Sequence, residues 1–258
     1  DREAEVLQKN KRGIFSLDVK PIGRRQFLGS VAVGLGAFAA VARAEDEPLP
    51  DEDQGFPLFA RLKFPGGDWY TDTLTGGHAG GAELNLLRRF RKNTTGKAIV
   101  SETFVDPMTD EIFKYPFLYM SGHTASDFPQ VMVDNLRHHV LCGGMLLADE
   151  CSGMQNGSFE MACRRLFIRM LPEQALRPLS IDHPVYHCAY DVNEVLGGDK
   201  LVSPYDTAVE LDGRIGVFYC ANDYGCAWEG HRCVPKGDIQ REHAFKMGIN
   251  LLVYALTH

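Results

Sequence analysis

Cysteines, histidines and carboxylates recur at short spacings in this 258-residue chain. Cys151 lies in Asp149-Glu150-Cys151-Ser152-Gly153, after the apolar run Met145-Leu146-Leu147-Ala148 and before a helical pattern. A thiol at such a turn is a candidate nucleophile, with His123 or His231 as its base. Its two acidic neighbours work against that role, because nearby negative charge disfavours a thiolate. The plainer role is a structural or ligand-contacting cysteine.

His123, Asp149, Cys151, His183, His187, Cys226, His231 and Cys233 are all metal-ligand types. The narrower candidate set is His183, His187 and Cys226. His183 and His187 are four apart, the spacing of one helix face, but Pro184 speaks against a helix there. A metal ion is therefore a candidate cofactor, and the competing role of these groups is to cap loops and helix ends. Cys226 and Cys233 flank Trp228-Glu229-Gly230-His231 in an expected loop. In an oxidising compartment they can pair across it, or Cys151 can pair with one of them. Cys142 and Cys163 fall in helix patterns and are expected to be buried and inert. His138 and His139 are expected on a solvated helix face. The chain has 7 cysteines and no CxxC.

Asp68-Trp69-Tyr70 has the composition of a binding wall. An indole stacks on the C–H face of a polyol while a carboxylate accepts its hydroxyl hydrogens. Asp68, Trp69, Tyr70, His123, Asp149, Glu150, Asp223, Trp228 and Glu229 are the candidate ligand-binding residues. The alternative is that Trp69 and Trp228 only pack. Gly76-Gly77-His78-Ala79-Gly80-Gly81 lacks the Lys and Ser/Thr of a phosphate loop, which argues against nucleotide binding by that route.

The elements that must position these residues are legible as alternating patterns. Strands are expected at Phe59–Phe64, Phe117–Met120, Met145–Ala148 and Ile215–Cys220, and helices at Leu84–Lys92, Val131–Cys142, Ser158–Met170 and Arg241–Leu256. Short apolar strands alternating with helices predict an α/β domain with a mostly parallel sheet covered on both faces. Ligands of such sheets bind beyond the carboxyl ends of the strands. The candidate residues gather at those ends.

Residues 1–44 have a different character. A basic stretch leads into Gly23-Arg24-Arg25-Gln26-Phe27-Leu28-Gly29, then an apolar run to Val41, then Ala42-Arg43-Ala44. In that order these features resemble a twin-arginine signal peptide, with Arg24, Arg25, Phe27 and Leu28 as its core and Ala42 and Ala44 as the cleavage signature. The resemblance implies export of a folded protein by the twin-arginine translocase, to the periplasm or beyond. Residues 45–57 read as an acidic, Pro-rich linker, and 58–258 as the exported domain.

The formal net charge is −7. The first 44 residues hold 8 of the 27 Lys and Arg but only 4 of the 34 Asp and Glu, so the remainder is more acidic than the whole. Such a surface repels phosphate backbones, which excludes nucleic acid as an expected partner. No apolar run after residue 44 is long enough for a membrane span.

The exported part resembles, over nearly its full length, the bacterial family called domain of unknown function 4159. The resemblance is carried by Gly66-Gly67-Asp68-Trp69-Tyr70, Tyr115 to His123, Gly143 to Cys151, Asp182 to His187 and Gly225 to His231, with the tail from Asn250. It implies a flavodoxin-like, class I glutamine amidotransferase-like three-layer sandwich. Catalytic members of that fold carry Gly-x-Cys-x-Gly at the nucleophile turn. Here Asp149 replaces the first glycine, and no His-x-Glu follows in the later position; Glu229-Gly230-His231 has the reverse order. These departures favour a domain that binds a small polar ligand or a protein partner at the carboxyl edge of the sheet. A cysteine-dependent hydrolase or amidotransferase using Cys151, and a metalloprotein assembled before export, are the alternatives.

Overall fold

The computed structural model describes residues 51–76 and 81–258. The signal-like segment with Arg24, Arg25, Phe27, Leu28, Ala42 and Ala44, the first part of the linker and the centre of the Gly76–Gly81 loop lie outside the described residues.

Strand alternation decides the architecture. In β3 (Phe117–Gly122), Phe117 and Tyr119 enter one apolar cluster while Leu118 and Met120 enter another. In β4 (Met145–Glu150), Met145 and Leu147 join the first cluster, Leu146 and Ala148 the second. Successive side chains on a strand point to opposite faces, so strands that are apolar throughout need cover on both sides. The first face is covered by α1 (Ala82–Asn93), α4 (Tyr224–Glu229) and α5 (Asp238–Thr257), the second by α2 (Gln130–Leu141) and α3 (Ser158–Met170). The result is an α/β domain in three layers.

The sheet has seven strands, completed by β1 (Phe59–Leu62), β2 (Phe104–Val105), β5 (Arg177–Pro178), β6 (Thr207–Leu211) and β7 (Arg214–Cys220), in the order β2-β1-β3-β4-β7-β6-β5. The run from β2 to β7 is parallel, and β6 and β5 add antiparallel strands at one edge. The chain steps outward from β1 to β2 and then crosses to β3 on the other side of β1. The order therefore reverses between β1 and β3, where open α/β sheets place a ligand crevice.

The four expected strands and four expected helices are present, with ends shifted by a few residues. The two-residue strands β2 and β5 and the hairpin strand β6 carry too little apolar periodicity to be read from sequence. The segment expected to loop around Cys226 is instead α4, a short buried helix. Cys142, expected in the core, follows the end of α2 and is exposed, whereas Cys163 is buried as expected. His139, expected in solvent, is buried, with Nε2 2.8 Å from the Tyr115 carbonyl; burial pushes its pKa down to about 4. Contacts with the domain begin inside the linker segment: Arg88 on α1 pairs with Glu52, and Phe56 bridges to Ala98. Among the described residues, no helix is long and apolar enough to cross a membrane.

Candidate functional site

Three segments leave the carboxyl ends of β1, β4 and β7 on the same edge of the sheet, and their side chains meet beneath the surface beside the last residues of β3. Asp72, Cys151, Asp223 and Cys226 are all buried, and each brings one donor atom to within 4.8 Å of the other three. Cys151 Sγ is 3.3 Å from Asp72 Oδ2, and Cys226 Sγ is 3.1 Å from Asp72 Oδ1, so one carboxylate spans both thiols. Ser121 Oγ at the end of β3 lies 2.9 Å from Cys151 Sγ and 3.3 Å from Asp72 Oδ2. Asp223 accepts from the Cys226 backbone N–H at 3.1 Å and from Lys200 Nζ at 2.7 Å. Lys200 Nζ also donates to the Cys151 carbonyl.

The backbone is bent to make this meeting. Asp72 and Asp223 have φ of 62° and 61°, in the left-handed region that non-glycine residues rarely adopt. Such conformations cost of order 1–3 kcal/mol each and concentrate at functional sites. Asp223 caps α4 from that conformation, which turns its carboxylate back toward Cys226.

Electrostatics are dominated by crowded negative charge. Burial pushes the Asp223 carboxyl up to about 8, with Asp149 and Asp72 adding repulsion against the pull of Lys200. Burial raises Asp149 as well, although the Tyr224 and Gly225 backbone N–H groups and the Tyr119 hydroxyl donate to it. A hydrogen bond with Cys226, followed by burial, holds the Cys151 thiol well above its ordinary value. Among the described residues, no histidine is hydrogen-bonded to Cys151; its side-chain neighbours are Ser121, Asp72 and Cys226.

A buried cation holds the β1 loop in place. Arg61 on β1 is fully buried, pairs with Glu83 on α1, and donates from Nη1 to the Trp69 carbonyl at 2.9 Å. Burial alone would lower its pKa; the pull of Glu83 overrides this and raises it. The guanidinium lies 4.7 Å from the centre of the Tyr119 ring, whose hydroxyl donates to Asp149 Oδ2 at 3.0 Å. Arg61 thus fixes the segment that carries both Asp68 and Asp72. Gly225 leaves the room these groups need: a Cβ there would stand 2.4 Å from Tyr119 Oη and 2.8 Å from Asp72 Oδ2.

A second arrangement lies at the rim, in the crevice between β1 and β3. Asp68 Oδ2 is 2.8 Å from His123 Nδ1, and the same carboxylate accepts from the His123 and Thr124 backbone N–H groups. Burial works to raise the Asp68 carboxyl, but the Thr124 and His123 hydrogen bonds outweigh it and hold it below the usual carboxylate range. The His123 side chain is 46% exposed, so this pair meets solvent while the cysteine cluster does not. Trp69 stands edge-on to Tyr70 and to Phe104, with Tyr70 exposed beside it.

The remaining candidates separate. Trp228 is a core residue; its indole N–H donates to the Ala244 carbonyl, and its ring packs 5.8 Å from Tyr119. Glu150 is buried and accepts from the Ser152 backbone N–H within its own turn. Glu229 Oε2 is 3.2 Å from His231 Nε2. His183 accepts from the Val185 backbone N–H, and His187 Nε2 meets the Ile181 carbonyl, so both hold their own loop while Cys226 belongs to the buried cluster. Asp72, Ser121, Lys200 and the clamp Arg61 went unread in the sequence. Asp72 has a weak signal, falling four residues after Asp68 in the same expected loop, and Lys200 follows the Gly197-Gly198 turn.

Residues 58–256 match the family described as domain of unknown function (DUF4159), and the chain belongs to that family. No curated relative matches it.

Proposed function

We propose, with that family membership as the premise, that the domain holds a thiophilic divalent cation of the zinc class at the carboxyl edge of its sheet and serves as an exported metalloprotein. The observation that carries this reading is the convergence of two cysteines and two aspartates, all buried, from three segments of the chain that follow β1, β4 and β7. Thiolates favour zinc-like ions over magnesium or calcium, and carboxylates complete mixed four-ligand shells. Charge supports the same reading. Asp72, Asp149 and Asp223 are buried together, with the Lys200 ammonium bonded to one of them. Uncompensated buried charge costs several kcal/mol per ion, so carboxyls crowded this way hold protons, which a divalent cation can displace. Four protein ligands close a zinc shell, which is the pattern of a structural or binding centre rather than a catalytic one.

Cysteine-dependent hydrolysis has weaker support, since Cys151 is 0% exposed and faces a carboxylate where a base-activated thiol needs an imidazole. A second reading, a small polar ligand at the rim, draws on the solvent-facing Asp68–His123 pair beside Trp69 and Tyr70. We read the fold as flavodoxin-like and class I glutamine amidotransferase-like, which the order of the parallel strands supports. Passage through the twin-arginine translocase to the periplasm or beyond rests on the ordered signal motif around Arg24 and Arg25. A folded-state export route suits a protein that takes its cation before transport.

The test is metal analysis of the full-length protein purified from its native compartment. The reading expects about one equivalent of a zinc-class metal per chain, closing a four-ligand shell, and its loss in Cys226→Ser. Native protein that carries no stoichiometric metal and takes up none from solution ends it.

A further inference from the structure

Cys226 Sγ belongs to two donor sets. Besides the buried four, it lies with Asp199 and His231 in a second group whose donor atoms also fall within 4.8 Å of one another. The two sets differ in depth. Asp72, Asp223 and Cys151 are fully enclosed, whereas the Asp199 side chain is 17% exposed and that of His231 is 28% exposed. Backbone geometry ties the sets together. The Asp199 N–H donates to the Asp223 carbonyl at 2.8 Å, and the His231 N–H to the Cys226 carbonyl at 3.0 Å. Glu229 Oε2, itself buried, sits 3.2 Å from His231 Nε2. Lys200 Nζ stands between the sets, 2.7 Å from Asp223 Oδ2 and 3.9 Å from Asp199 Oδ2.

We propose that Asp199, Cys226 and His231 form the port through which a thiophilic divalent cation reaches the buried centre, with Cys226 handing it from the outer set to the inner one. This rests on the reading of Asp72, Cys151, Asp223 and Cys226 as a cation site. A fully enclosed four-donor site needs an entry path. The shared sulfur supplies one in which the ion keeps a ligand throughout the transfer. Asp199 and His231 let go as Asp72, Asp223 and Cys151 take hold, the protons of the Cys226 and Cys151 thiols and of Asp223 pass to solvent as the cation displaces them, and the ammonium of Lys200 swings away from Asp223 as the arriving charge replaces it. The partly exposed carboxylate of Asp199 raises the local cation concentration at the mouth.

The port is tested by stopped-flow loading of the metal-stripped full chain with cobalt(II), followed by thiolate-to-cobalt absorption. Asp199→Asn, His231→Ala and, as the milder change, His231→Gln are compared with wild type. The expected result is loading slowed by about tenfold at low ionic strength, with final absorption and stoichiometry unchanged. Variants that load at the wild-type rate overturn the port and leave the buried centre standing. Variants that lose final absorption make the outer residues permanent ligands and overturn it too. Wild-type protein that gives no thiolate-to-cobalt absorption removes the buried centre itself, and the port with it.

Discussion

Asp72 Oδ2 stands 3.3 Å from Cys151 Sγ although the two residues are 79 positions apart in the chain. The carboxylate comes from the loop after β1 and the thiol from the end of β4, two strands that do not pair but flank β3. Their meeting depends on the clamp that holds the β1 loop, on the space above α4, and on the charge enclosed beneath it.

The clamp is the Arg61–Glu83 pair. Both side chains are buried, so removing one partner leaves an uncompensated charge in the core. Arg61→Met and Glu83→Gln are each expected to lower the unfolding free energy by about 3–5 kcal/mol in denaturant titrations. The double variant Arg61→Met/Glu83→Gln should lose less than the sum of the single losses, because no orphaned charge remains. Strict additivity would mean that the two residues act separately.

Space is set by Gly225. A methyl group there is placed 2.4 Å from Tyr119 Oη and 2.8 Å from Asp72 Oδ2, against side chains that are themselves packed. Gly225→Ala is expected to cost about 1–3 kcal/mol and to lower the thermal midpoint. Because Asp72 must shift, cation binding should weaken in the same variant. An alanine variant with wild-type stability and wild-type binding would show that the loop has slack the structure does not display.

Enclosed charge gives a pH dependence with a defined sign. Burial pushes the Asp206 carboxyl from 3.8 up to about 7, although the Tyr186 and Tyr224 hydroxyls donate to it. Between those values the folded protein keeps a proton that the unfolded chain releases, so stability falls as pH rises through that window. The slope contributed by this one group is at most about 1.4 kcal/mol per pH unit. Asp206→Asn removes that contribution. Unfolding curves across pH 4 to 7 should be flatter for the variant, and parallel curves would contradict the assignment.

The fold was largely legible because its signals are local. β3, β4 and β7 are apolar on both faces, and α2 and α3 show helical periodicity bounded by glycine or proline. Two cysteine positions of the buried cluster were also legible, since Cys151 follows a strand and Cys226 falls in a cysteine-containing motif. Asp72 was not, because a lone aspartate in a turn carries no sign that its backbone is left-handed or that its carboxylate is buried. Trp228 misled for a related reason: an aromatic residue beside a carboxylate reads the same in sequence whether it faces a ligand or the core. His183 and His187 have metal-ligand spacing, yet one ring nitrogen of each meets the backbone of its own loop and the other faces a carboxylate, Glu210 for His183 and Asp191 for His187.

Cobalt(II) titration of the metal-stripped full chain tests the buried cysteine–aspartate centre directly, because thiolate ligation has its own absorption. About one equivalent is expected to bind in a closed four-ligand shell with a thiolate-to-cobalt band. The band should weaken in Cys151→Ser and in Cys226→Ser, each of which leaves one thiolate, vanish in the double variant, and persist in a Cys142→Ser control, whose thiol is exposed and lies at the opposite end of β4 from Cys151. A wild-type titration without that band, or a band untouched by changing Cys151 and Cys226, would contradict that centre.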